Sequence, residues 1–143
     1  MEAGPSRSGA GAGTRGCHNA AAMRLFALRG ATTVAANDAD LILAGTDALV
    51  RAVMERNALS PEAMVSCIFT LTEDLDAEYP AVAARRLGLD RVPLLCAREL
   101  PVPGSLERVI RLLLHYYAAE DHVAQHVYLE GAKVLRADLE SAQ

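Results

Sequence analysis

The sequence predicts an α/β (α+β) fold, a single sheet packed on one layer of helices. Three observations lead there. Short apolar runs rich in β-formers alternate with two helical patterns, no segment repeats, and 143 residues with a 52% apolar fraction suit one domain with a substantial core. We place that domain at residues 23–143. Residues 1–22 are dominated by Gly, Ala, Ser and Arg without apolar periodicity and are expected to form a disordered tail, because they bury too little surface to offset the entropy of ordering. Met23 opens the first apolar run and would serve as a translation start, which the intact mass of the native protein would check.

Residues 23–28 (MRLFAL) read as a strand ended by Arg29-Gly30. Asn37 or Asp38 then caps a helix reaching about Asn57, with Ile42, Leu49 and Val53 on one side and Asp40, Asp47, Arg51 and Glu55 on the other, so its apolar stripe should lie on the sheet. Ser60-Pro61-Glu62 pairs an N-cap with proline at the first helical position and opens a short turn before a second strand at 65–70 (VSCIFT). A loop from Thr72 leads to Tyr79-Pro80, where proline starts a short helix that Gly88 ends. Residues 91–97 make a third strand and 109–117 a fourth, separated by a loop carrying Pro101, Pro103 and Gly104. The segment 126–135 reads either as strand, turn and strand about Gly131 or as a strand running into a helical turn.

Composition narrows the function classes. A formal charge of −4 gives no overall basic footprint for nucleic acid, so any anion must be met by a local cationic pocket. No apolar run approaches the roughly 18 residues of a spanning helix, and no secretory signal core is visible, so no membrane partner is expected and the location is expected to be cytoplasmic. Cys17, Cys67 and Cys96 are odd in number and show no CxxC spacing, which reads as reduced thiols. His115, His122 and His126 lack supporting acids at metal-ligand spacing, so no metal site is expected.

The residue out of place is Arg111, which interrupts VIRLLL (109–114) in a core strand. Strand alternation puts it on one face with Val109 and Leu113, opposite Ile110, Leu112 and Leu114. Burying an unpaired guanidinium is very costly, so that face is solvated, pairs Arg111 with Glu99, or meets an anionic ligand. Arg29 at a strand end and Glu99 at the start of a Pro-rich loop are read the same two ways, as surface charges or as ligand contacts. Cys96, late in an apolar strand, reads as a small buried hydrophobe. Tyr116, Tyr117 and Tyr128 suit a core or an interface. Pattern alone names no reaction.

Four motifs occur in order: LRGATTV (28–34), YPAVAAR (79–85), VPLLCARELPVPGSLERVIR (92–111) and HVYLEGAKVLRADL (126–139). Together they resemble the chorismate mutases of the bacillus type, the trimeric α/β class rather than the all-helical one, from Arg24 to about Glu140. The resemblance implies a mixed sheet packed on helices, a pseudo α/β barrel formed as a homotrimer, and active sites between subunits. It implies the rearrangement of chorismate to prephenate, a step of phenylalanine and tyrosine biosynthesis, without cofactor or metal. The family's substrate contacts fall on Arg29, Tyr79, Ala81, Arg85, Cys96, Glu99, Arg111, Tyr128 and Leu135. Of these, Arg111, Glu99 and Arg29 carry the catalytic roles: Arg111 toward the ether oxygen, Arg29 with Tyr128 toward a carboxylate, Glu99 with Cys96 toward the ring hydroxyl. Arg85 and Tyr79 would close the mouth. The chain departs from the family at Val82, where a lysine is common, and at HYYAAEDHVAQ (115–125), which is one residue short and stands where the family often has an aspartate, a proline and a polar helical turn. The alternative is a relative that binds an anionic metabolite without turning it over.

Overall fold

In the computed structural model, which describes residues 22–136, the chain forms β1 (Met23–Thr33), α1 (Ala39–Asn57), β2 (Met64–Leu71), α2 (Pro80–Arg86), β3 (Leu94–Arg98), β4 (Val109–Ala119) and β5 (Val127–Tyr128). Single 3-10 turns occupy Pro61–Ala63, Leu89–Arg91 and Glu130–Ala132. The strands make one mixed sheet in the order β3-β2-β4-β1-β5. Central β4 runs antiparallel to β1 and β2, while the outer strands β3 and β5 lie parallel to their neighbours. Of residues 1–22, expected to form a disordered tail, 1–21 lie outside the described residues; Ala22 is described, and its carbonyl accepts the Glu120 N–H at 2.9 Å.

Helix α1 begins where the Asp38 carboxylate accepts the Leu41 N–H at 3.0 Å, and it ends at Ala58 in the left-handed region. Asn37, the other cap candidate, instead ties the loop after β2. Its amide donates to Asp76 Oδ1 and accepts from the backbone N–H groups of Asp76 and Ala77. The predicted stripe of Ile42, Leu49 and Val53 is fully buried, with Thr46, Val50 and Asn57 beside it. Helix α2 starts with Pro80 at its first position and ends before Gly88, whose φ of 99° suits glycine.

Two strand boundaries differ from the sequence reading by three residues or more, each for a physical reason. Strand β1 does not stop at Arg29-Gly30 but runs to Thr33, because Gly30 is a point of close approach rather than a turn. A Cβ there would lie 3.1 Å from Leu112 Cγ and 3.2 Å from Leu49 Cδ1. Gly30→Val should therefore overpack the contact between α1 and the sheet, costing about 1–3 kcal/mol, which a fall in Tm of several degrees would reveal. Strand β3 starts at Leu94 rather than residue 91, since Leu89–Arg91 forms a 3-10 turn and Pro93 has no N–H to give a ladder. The C-terminal ambiguity resolves as a two-residue strand running into a helical turn.

One sheet face is covered and the other is open. Register places Cys96, Phe69, Leu112, Gly30 and Val127 in one transverse row facing the helices, where Phe69, Leu112 and Val127 belong to the main core. The adjacent row, Ala97, Thr70, Arg111, Ala31 and Tyr128, faces the opposite way. Among the described residues neither α1 nor α2 lies over that second face, and the turn at Glu130–Ala132 with Leu135 after it packs on one end of it.

Candidate active site

The open face carries the site. Arg111 stands at the centre of its row, flanked by Thr70 on β2 and Ala31 on β1, with Tyr128 beyond Ala31. The next row sets Arg29 beside Leu113 and Ile68. A cleft of about 460 Å³ lies over these two rows, lined by Arg29, Arg111, Thr70, Ile68, Tyr128 and Leu135 among others. Leu135 packs against the cluster of Ala31, Val109 and Ala132, so the end of the described chain forms one wall.

Local chemistry fixes the position of Arg111. The Asp74 carboxylate accepts the Arg108 N–H at 2.9 Å, and the Thr72 hydroxyl, donating to Asp74 Oδ1 at 2.5 Å, accepts the Val109 N–H at 3.0 Å. The start of β4 is thereby held against the loop after β2. Arg108 sits in the left-handed region at φ 51°, which turns the chain from the Pro-rich loop into the strand. Arg111 enters the sheet in a fixed register three residues later.

Glu99 reaches the same face because the ladder continues one step beyond β3, with the Glu99 N–H donating to Leu71 O at 2.9 Å. Its Oε1 accepts from the Thr70 hydroxyl at 2.8 Å and lies 2.5 Å from Arg111 Nε. The last contact is an ion pair rather than an aligned hydrogen bond, since buried Nε has no acceptor along its N–H direction. The two side chains are unequal in exposure, 41% for Arg111 and 16% for Glu99, so the guanidinium is anchored at Nε while part of it remains open to the cleft.

Of the other residues singled out from the sequence, a second group lies on the helix side. Cys96 is half-buried in the row of Phe69 and lines a small pocket with Tyr79 and Leu71 near the start of α2. Tyr79 and Arg85 are exposed, and Ala81 is buried in the main core. Within one chain, Cys96 and Glu99 therefore do not share a face, although they are three residues apart. The buried thiol of Cys67 on β2 has its pKa pushed up to about 12, first by loss of solvent and then by Cys96, so it is inert near neutrality.

Sequence reasoning missed Thr70 and His126. Alternation opposite Phe69 would have put Thr70 on the open face, but its partnership with Glu99 depends on strand pairing. His126 was weighed only for a metal, and among the described residues no three His, Cys, Asp or Glu side chains gather in a metal-binding group. Instead its Nδ1 accepts the backbone N–H of Arg29 at 2.9 Å. Desolvation of the ring, then the nearby Arg29 charge, lowers its pKa below the usual 6.5. On unfolding the imidazole regains its ordinary affinity for protons. Its contribution to stability is thus complete above pH 6.5 and is lost as pH falls through 6.5 toward the lower folded-state value. Urea unfolding midpoints should decline over that window, and His126→Asn should flatten the decline.

The comparisons fit this geometry. Residues 25–139 match the family model described as chorismate mutase type I. The chain is 50% identical to chorismate mutase AroH of Thermus thermophilus over 119 residues, covering 81% of this chain and 97% of that one. It is 38% identical to chorismate mutase AroH of Bacillus subtilis over 120 residues, 82% of this chain and 94% of the relative. A solved chorismate mutase from Clostridium thermocellum superposes with a TM-score of 0.72 at 47% identity, covering 76% of this chain and 98% of that structure. These matches span nearly the whole lengths of the relatives, and the chain belongs to the chorismate mutase type I family.

Proposed function

We propose that the protein converts chorismate to prephenate and that the cleft over Arg29 and Arg111 binds the substrate. The observation that carries this reading, beside family membership, is a strand arginine held at Nε by Glu99 and open to the cleft. Chorismate bears two carboxylates, a ring hydroxyl and an enolpyruvyl ether. Its rearrangement breaks a C–O bond while forming a C–C bond in one pericyclic step, with no proton transferred. Catalysis then consists of holding the compact conformer and stabilising charge that grows on the ether oxygen.

In this reading the terminal nitrogens of Arg111 donate to the ether oxygen and an adjacent carboxylate. A planar fork with permanent charge suits that task. Arg29 and Tyr128 bind the side-chain carboxylate, and Glu99, acceptor-only when ionised, takes the ring hydroxyl. Leu135 closes the wall. Tyr79, Arg85 and Cys96 contribute from a neighbouring chain, since within one chain they lie on the opposite side of the sheet, and Ala81 contributes through its backbone because its side chain is buried in the main core.

The same reasoning supports a homotrimer with sites between subunits. The open face exposes Leu25 (48%), Leu113 (36%), Tyr117 (49%) and Leu95 (60%), an apolar surface of the kind that marks an interface. Sedimentation at micromolar concentration should give a trimer, and a stable, active monomer would refute the assembly. For the activity, incubation with chorismate should show loss of its absorbance and a product that acid converts to phenylpyruvate. Binding without turnover would instead favour a non-catalytic relative.

A further inference from the structure

The narrow outer strand β5 needs anchoring that its own ladder does not supply. Only Val127 and Tyr128 pair with β1, opposite Gly30 and Ala31, yet this pairing sets where the Tyr128 side chain stands in the cleft. Such a short edge ladder is weak on its own. Two side chains extend it backward. Asn57, the last residue of α1 and buried, holds both backbone groups of Gln125: its Oδ1 accepts the Gln125 N–H at 2.7 Å, and its Nδ2 donates to Gln125 O at 3.0 Å. The same Nδ2 donates to Val53 O at 2.9 Å, which locks the amide to the helix. One residue on, His126 Nδ1 takes the Arg29 N–H, filling the place that a strand carbonyl would occupy. Beyond the strand, Leu129 N donates to Ala31 O and Gly131 N to Thr33 Oγ1, both at 2.9 Å.

We propose that Asn57 and His126 are positioning residues for the substrate cleft, joining the end of α1 to the 125–128 strap so that Tyr128 and Arg29 converge on one carboxylate. This rests on the chorismate mutase reading and deepens it. Neither residue touches the cleft; each acts through a backbone. Asn57 sets the height of the strap over the sheet by its contact with α1, and His126 ties that strap to the residue bearing the second carboxylate contact. The arrangement also accounts for how the shortened 115–125 segment leaves Tyr128 in place, since its final residue is clamped by a side chain rather than by its own loop. Loss of either tie should weaken ground-state and transition-state binding of the carboxylate alike, which appears in KM rather than kcat.

Steady-state turnover of chorismate by the full chain tests this. Asn57→Ala and His126→Leu should each raise KM roughly tenfold with kcat within about twofold. His126→Asn should return KM to within about threefold of the parent, because its Oδ1 stands near where Nδ1 stood and accepts the same N–H. In a Tyr128→Phe background, which itself raises KM, Asn57→Ala should add less than about twofold, since it acts through the same contact. Melting curves show which variants fold. Should Asn57→Ala fail, Asn57→Asp carries the test, because it keeps the acceptor for Gln125 N and loses only the donors, with an intermediate KM expected. Multiplying losses in the double variant, an unaltered KM in Tyr128→Phe, or His126→Asn as impaired as His126→Leu would overturn the positioning role while the parent still turns chorismate over. A parent inactive on chorismate would overturn the proposed activity and this role with it.

Discussion

Replacing Arg111 with alanine is expected to lower kcat for chorismate by roughly 10²- to 10³-fold, about 3 to 4 kcal/mol, in a protein that still folds. The magnitude follows from removing a preorganised donor to charge that exists only in the transition state. Folding should survive because the side chain is partly exposed and its loss opens no cavity in the main core. The substitution also removes the cationic partner of Glu99, leaving the Thr70 hydroxyl as its side-chain partner among the described residues. A carboxylate left facing the incoming dianion should raise KM as well. Arg111→Lys separates the two contributions. A point charge still attracts the substrate but misses the bidentate geometry, so binding should be retained better than turnover. Equal losses in kcat and KM for Arg111→Lys, in a folded protein, would count against a transition-state role.

Arg111 was legible in the sequence because its chemistry contradicts its surroundings: a guanidinium in an apolar strand demands a reason. The buried stripe of α1 was legible for the opposite reason, since a local period of 3.6 residues needs no tertiary information. Gly30 was misread because the sequence shows a residue without a side chain and not the Leu49 and Leu112 atoms that fill its space. Such close approaches are properties of a pair of elements. The row joining Tyr128, Ala31, Arg111 and Thr70 was likewise hidden, because strand order sets β4 between β1 and β2 and register aligns residues far apart in sequence. His126 and Arg29, 97 positions apart, belong with this class. Single residues of odd chemistry are visible in a sequence, whereas the neighbours that give them a use are visible only once the sheet is assembled.

The separation of the candidate residues into two faces leads to the second large effect. Leu25→Asp should yield folded monomers with turnover reduced at least roughly 10²-fold, because the altered side chain is exposed in the single chain and its charge would be buried unpaired in an assembly. Leu25 pairs with Tyr117 on the open face, so the charge falls beside another exposed apolar side chain. Monomers that kept full activity would show that one chain suffices. Complementation is the stricter measurement. Arg111→Ala removes the sheet-face half of a site, and a Tyr79→Ala/Arg85→Ala variant removes the helix-side half. If each site takes one half from each of two neighbours, trimers refolded from an equal mixture contain intact sites. A site is whole only when one particular neighbour carries the first variant and the other carries the second, which random assembly around a three-fold ring achieves about one time in four. Activity near a quarter of the parent is therefore expected from two impaired proteins. A mixture no better than the mean of its components would place both halves in the same chain, which the opposite orientations of Cys96 and Arg111 across the sheet oppose.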